Sequence, residues 1–188
     1  MQKIILASQS PRRKELLHLA EIDFDVIIAN TDECYPAGLS FEETAIHIAT
    51  NKALAVAEKT DKTQTILAAD TIVICNDKII GKPEDREDAI AILMALSSNT
   101  HQVITGVCIL KNGTINSFAD VTTVYFHNLT LVQIIYYVDK YKPYDKAGAY
   151  AIQEWIGAVG IKKIEGDFYN VMGLPISRVV AALADKLI

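Results

Sequence analysis

The sequence predicts an α/β fold: a mixed, twisted sheet flanked by helices. Two observations carry that expectation. Short apolar runs alternate with helical stretches through the first half of the chain, which is the pattern of parallel strands joined by helical crossovers. In the second half two long strand-like segments flank Asn112-Gly113, the dipeptide that most strongly favours a two-residue hairpin. A hairpin is antiparallel by construction, so the sheet cannot be wholly parallel.

Taken in order, Lys3 to Ala7 is a short buried strand by length and residue type. Ser10 then precedes Pro11, a helix N-cap followed by proline at the first helical position. Leu16, Leu17, Leu19 and Ala20 give that helix its apolar side, and Phe24 to Ile28 is a second strand. Residues 30–39 form a loop punctuated by Pro36 and Gly38. Ser40-Phe41-Glu42-Glu43 is a capping box that opens a helix to about Lys59. Thr65 to Ala69 is a strand ending at Asp70-Thr71 and resumed by Ile72 to Cys75. Asn76-Asp77-Lys78 then turns the chain into Ile79-Ile80.

Gly81-Lys82-Pro83 starts a helix through Leu96. Strands over Gln102 to Leu110 and Thr114 to Phe126 follow. Thr130-Leu131-Val132-Gln133 is a second capping box, opening a helix to about Tyr141. Residues 143–148 are loop, Ala158 to Ile164 is strand-like, and Gly173-Leu174-Pro175 precedes an amphipathic helix to Leu187. No repeat or linker interrupts the series, so the 188 residues are expected to form a single domain over 1–188.

Composition narrows the function classes. Apolar residues make up 51% and charged residues 22%, enough for a packed core rather than disorder. Eighteen basic against 23 acidic residues give a net charge of −5, which leaves no global basic field for a nucleic acid. No apolar run reaches the length of a membrane span. The apolar start is too short for a signal peptide and runs into Arg12 and Arg13. Cys34, Cys75 and Cys108 are odd in number and widely spaced. They fit a reducing cytoplasmic setting, and none lies in a zinc-binding spacing.

Several clusters could carry chemistry. In Leu6-Ala7-Ser8-Gln9-Ser10-Pro11-Arg12-Arg13 a strand gives way to a helix with two arginines in its first turn. Acidic residues are favoured there, so paired arginines suggest an external anion, most naturally phosphate, with the Ser8 and Ser10 hydroxyls as further donors. An ordinary capped helix with solvated arginines is the plainer reading. Asp70 leaves the end of an apolar strand, where α/β proteins place ligands, and could hold a divalent metal or act as a base on water. A strand-end turn with Thr71 is its alternative. Asp32-Glu33 could supply oxygen ligands to a metal or be a solvated pair. Lys52 on the long helix and Lys82 between Gly81 and Pro83 could contact phosphate or face solvent. Gln153, after the small residues of 147–151, could read a base edge or sit at a packed junction. The four histidines adjoin no nucleophile motif.

The ordered set Leu-Ala-Ser-x-Ser-Pro-Arg-Arg at 6–13, Asp-Glu at 32–33, Ala-Asp-Thr at 69–71, Gly-Lys-Pro at 81–83, Thr-Gly-Val at 105–107 and Asp-Lys-Ala-Gly-Ala-Tyr at 145–150 resembles the Maf family of nucleotide pyrophosphatases. The resemblance implies a cytosolic enzyme that splits nucleoside triphosphates into monophosphate and pyrophosphate. It also implies an elongated two-lobed fold with a central cleft, and a homodimer. Arg12, Thr71 and Gln153 are similar to the specificity positions of the branch acting on dTTP and UTP. By the same resemblance Asp70 is expected to be the catalytic base and a metal contact, and Glu33 a metal ligand to Mg²⁺ or Mn²⁺. Ser8, Arg12, Arg13, Lys52 and Lys82 are expected to bind phosphate. The expected reaction is metal-assisted attack of water on the α-phosphorus. The alternative is a nucleotide-binding regulator of septum formation acting through a protein partner. No nucleic-acid or membrane partner is expected.

Overall fold

The computed structural model describes residues 3–184. It is a mixed α/β arrangement of seven strands and seven α-helices among those residues. In chain order these are β1 (Ile4–Leu6), α1 (Pro11–Leu19), β2 (Phe24–Val26), α2 (Phe41–Ala57), β3 (Ile66–Cys75), β4 (Lys78–Ile80) and α3 (Arg86–Leu96). Then come β5 (Thr100–Lys111), β6 (Thr114–Phe126), α4 (Leu131–Tyr141), α5 (Trp155–Gly160), β7 (Ile161–Glu165), α6 (Phe168–Met172) and α7 (Ile176–Ala184). The strands run in the order β2-β1-β3-β5-β6-β7, with β4 beside β3. β1 pairs in parallel with β2 and with β3, each through a helical crossover, whereas β3–β4 and β6–β7 are antiparallel.

Local chemistry explains most of the element boundaries. Both capping boxes form: the Ser40 side chain accepts from the Glu43 N–H while Glu43 accepts from the Ser40 N–H, and Thr130 and Gln133 do the same. Each box satisfies backbone donors that a helix start leaves without partners. Asn76 and Asp77 (φ 50° and 58°) and Asn112 and Gly113 (φ 50° and 76°) make the two-residue turns between β3 and β4 and between β5 and β6. Two positive φ values in succession are what such a tight hairpin requires.

The structure corrects several expectations. β3 continues to Cys75 as expected, but without a break at Asp70-Thr71, which lies within the strand. α3 starts at Arg86, not at Gly81-Lys82-Pro83, because the Asp85 carboxylate accepts from the Asp88 N–H and caps it. The segment Ala158 to Ile164 is divided, with residues 158–160 closing α5 and β7 starting at Ile161. Ser10 occupies the N-cap of α1, but its side chain makes no cap; the Ser8 hydroxyl instead accepts from the Ser10 N–H at 3.2 Å. The part of the final helix expected beyond Ala184 lies outside the described residues.

The residues form two compact units. Among the described residues, one comprises those up to Thr71, Thr105–Asp120 and those from Gly173 to Ala184; the other comprises Ile72–Ile104 and Val121–Met172. In the first, Ile5, Ala49, Ala53, Ile66, Ala68 and Cys108 form a core that packs α2 against the sheet. Small residues allow the close approach. A Cβ on Gly106 of β5 would stand 2.2 Å from the Ala45 carbonyl carbon of α2. In the second unit Val73, Val103 and Val124 form a core, while His101, Phe126 and Tyr150 pack as a buried ring cluster.

Candidate active site

Successive side chains of a strand point to opposite faces, and β3 uses this to serve two groups of partners. Ile66 and Ala68 face the α2 core, so Asp70 follows on that face and meets Lys52, which α2 carries. Thr71 points the other way, to Arg13 of α1. A charged residue inside a buried strand is tolerable only when it is paired. Asp70 is 9% exposed. The Lys52 Nζ donates to Asp70 Oδ1 at 2.6 Å and to Glu33 Oε1 at 2.8 Å. One ammonium therefore bridges two carboxylates, one deep and one on the exposed loop.

Arg13 is equally buried, at 9% exposure. Its Nε donates to the Gly173 carbonyl at 2.8 Å, Nη1 to Ser8 Oγ at 3.0 Å and Nη2 to Thr71 Oγ1 at 3.0 Å. Burial lowers the guanidinium pKa, the Asp70 charge opposes that change, and the neighbouring Arg12 charge adds to it. Gly173 holds φ at +112°, a conformation that glycine alone adopts without strain, and this turn brings its carbonyl to Arg13.

Hydrogen-bond arithmetic gives the hydroxyls a direction. A guanidinium only donates, and a hydroxyl has one proton and two acceptor positions. Ser8 Oγ accepts from both Arg13 and the Ser10 N–H, so its own proton remains to be donated. Thr71 Oγ1 accepts from Arg13 and also shares a 2.9 Å hydrogen bond with Thr105 Oγ1. Thr105 and Gly173 join the site without standing out in the sequence. Gly173 contributes only a backbone carbonyl, and Thr105 is fully buried, so neither has a side-chain signal of its own. The Thr-Gly-Val and Gly-Leu-Pro motifs are the traces that contain them.

Among the expected site residues, the structure thus forms two groups: Lys52 with Asp70 and Glu33, and Arg13 with Ser8 and Thr71; the Asp70 and Glu33 charges act on Arg13. Arg12 lies beside Arg13 on the first turn of α1, half-buried. Lys82 and Gln153 are exposed residues of the second unit. Of the cysteines, Cys75 and Cys108 are buried as expected, whereas Cys34 is exposed.

Glu33 and Asp70 are the residues that could hold a hard divalent cation. Glu33 and Asp70 offer only oxygens, and both converge on one point, the Lys52 ammonium. No group of three or more His, Cys, Asp or Glu gathers among the described residues. Two carboxylates with water and phosphate oxygens suit Mg²⁺ or Mn²⁺ better than an all-protein cage would.

These features define a mixed α/β protein with two polar groups beside β3, one of carboxylates about the Lys52 ammonium and one of hydroxyls about the Arg13 guanidinium. Residues 3–186 match the family model described as Maf-like protein, and the chain belongs to the Maf family. It is 48% identical over 182 residues to a dTTP/UTP pyrophosphatase of Parabacteroides distasonis, covering 96% of this chain and 94% of the relative. It is 46% identical over 186 residues to the protein of that name from Porphyromonas gingivalis, covering 97% and 94% of the two chains. A Cytophaga hutchinsonii protein of the same name is 50% identical over 181 residues, which cover 96% of this chain and 82% of that one. Among the described residues no helix is long and apolar enough to cross a membrane.

Proposed function

We propose that this protein is a nucleoside triphosphate pyrophosphatase that hydrolyses dTTP and UTP to the monophosphate and pyrophosphate. The observation that carries the proposal is the Lys52 bridge, which fixes the buried Asp70 and the loop residue Glu33 within hydrogen-bond reach of one cation. Membership of the Maf family and three relatives named for this activity support it.

In this reading Asp70 orients a water and takes its proton as the oxygen attacks the α-phosphorus. The bond from that phosphorus to the bridging oxygen breaks, and pyrophosphate leaves. Lys52 neutralises the site and stabilises charge as it moves onto the leaving group, where fixed cations matter most. Ser8 donates its hydroxyl proton to a phosphate oxygen. Arg13 holds Ser8 and Thr71 and retains further N–H groups for the phosphates. Glu33 and Asp70 would hold a divalent metal. Carboxylates are weak bases toward bulk water, and such a cation acidifies bound water and shields phosphate charge. Arg12, Thr71 and Gln153 select the base, and Arg12 and Lys82 contact phosphate.

Pyrophosphate release from a panel of nucleoside triphosphates, with Mg²⁺ or Mn²⁺, tests the reading. dTTP and UTP should be preferred over GTP. Asp70→Asn should stay folded and lose about 10²–10⁴-fold in turnover, the range of a positioned general base. Lys82→Ala should raise KM for every triphosphate, and Gln153→Ala should alter the preference among bases. Full turnover in Asp70→Asn removes Asp70 from the role. Tight nucleotide binding without turnover in the wild type transfers the proposal to the regulatory alternative.

A further inference from the structure

We propose that Lys146 is a positioning residue for Lys82: through the turn at 146–149 it fixes the backbone from which Lys82 reaches phosphate, and so it rests on the phosphate role given to Lys82 above. A strained turn, held from both ends, aims a backbone N–H at the residue before Lys82.

Residues Ala147–Ala149 form a single 3₁₀ turn in which Gly148 has φ 72° and Ala149 has φ 58°. Glycine takes such a value freely, but a residue with a Cβ disfavours it. Ala149 is also fully buried. Backbone strain of this kind persists only where the surroundings over-determine the conformation, and here they do. Ahead of the turn, the buried Lys146 ammonium lies 2.7 Å from Asp145 Oδ1 and 3.6 Å from Glu154 Oε1. Glu154 Oε2 accepts from the Tyr137 hydroxyl, whose oxygen accepts from the Ala151 N–H at 3.2 Å. After the turn, Tyr150 is buried with its hydroxyl 2.7 Å from His101 Nε2. The Ala149 N–H closes the turn on the Lys146 carbonyl at 3.0 Å. A buried ion pair adds little net stability over an apolar pair; what Lys146 adds here is a single conformation for the turn.

That conformation is passed to Lys82 through one bond. The Gly148 N–H donates to the Gly81 carbonyl at 3.0 Å. A Cβ on Gly148 would stand 3.2 Å from a Val73 methyl carbon, so glycine serves both the φ value and the close approach to β3. On the other side of Lys82, Pro83 is buried and its ring locks φ. Lys82 therefore stands between two anchored neighbours. Its side chain is exposed and, among the described residues, no carboxylate pairs with it. A lysine is a point charge on a flexible stem, so the place it can reach is set by where its backbone is held.

The test is a double-variant cycle on dTTP hydrolysis, with kcat, KM and Tm measured for the wild type, Lys146→Met, Lys82→Ala and the double variant. Lys146→Met should raise KM about tenfold and change kcat by less than about twofold, because a misplaced phosphate contact weakens ground-state and transition-state binding alike. In the Lys82→Ala background the same substitution should leave KM within about twofold, since the group it positions is gone. If Lys146→Met fails to fold, Glu154→Gln is scored by the same cycle; it removes one of the two charges on the ammonium and keeps an acceptor for Tyr137. A Lys146→Met effect on KM that is equal in both backgrounds, or an effect confined to Tm, overturns the proposal and leaves Lys82 as a phosphate contact. An unchanged KM in Lys82→Ala overturns the reading of Lys82 and the proposal with it.

Discussion

The Arg13 guanidinium binds three oxygens from three separate segments, Ser8, Thr71 and Gly173, each with a different N–H. Lysine has the charge but not the planar fork, so the residue sets geometry as well as potential. His101 makes a different residue-scale statement. It is 2% exposed, its Nε2 lies 2.7 Å from the Tyr150 hydroxyl, and its Nδ1 is buried with no hydrogen-bond partner. Burial pushes its pKa down to about 4 from the ordinary 6.5. Between those values the unfolded chain binds a proton that the folded chain does not. Stability therefore rises with pH from about 4 to 6.5 and is level in this contribution above that. Urea unfolding should show wild-type stability falling by a few kcal/mol across that window as pH drops. His101→Phe should flatten this part of the curve; an equal slope in that variant would assign it to other groups. The sequence exposes both arginines and Asp70 because they are charged residues in unusual places. It does not expose Arg13's partners, since two are neutral hydroxyls and the third is a backbone carbonyl.

The elements that carry the site are set by close packing, and α2 is the clearest case. Lys52 reaches Asp70 only because α2 lies flat on β3 and β5, where Gly106 leaves room for the Ala45 and Ile46 backbone. A Cβ at 106 would sit 2.2–2.4 Å from those atoms, and a backbone cannot move aside as a side-chain tip does. Gly106→Ala should displace α2, lower stability by about 2 kcal/mol or more, and cut turnover by moving Lys52. Thermal unfolding and pyrophosphate release read both effects, and native values of each would contradict this packing account. Legibility at this scale follows locality. Both capping boxes and the Asn112-Gly113 turn are encoded within four residues, and the structure has them where the sequence puts them. α5, Trp155-Ile156-Gly157-Ala158-Val159-Gly160, has two glycines and one turn or so of helix. Its apolar residues resemble a strand, and tertiary packing decides the outcome. β3 hides its continuity because Asp70 interrupts the apolar run, and only pairing with Lys52 makes the interruption tolerable.

For the whole molecule, the family match over residues 3–186 and the Lys52 bridge between Asp70 and Glu33 support the central proposal that Asp70 delivers water to the α-phosphorus of a pyrimidine nucleoside triphosphate. That claim predicts which fragment receives the water oxygen, independently of rate. The most direct test is hydrolysis of dTTP in ¹⁸O-water with Mg²⁺ or Mn²⁺, followed by mass analysis of both products. The account predicts one ¹⁸O in the thymidine monophosphate and none in the pyrophosphate. Label in the pyrophosphate, or release of single phosphate with label in it, would place the attack on another phosphorus and contradict the role given to Asp70.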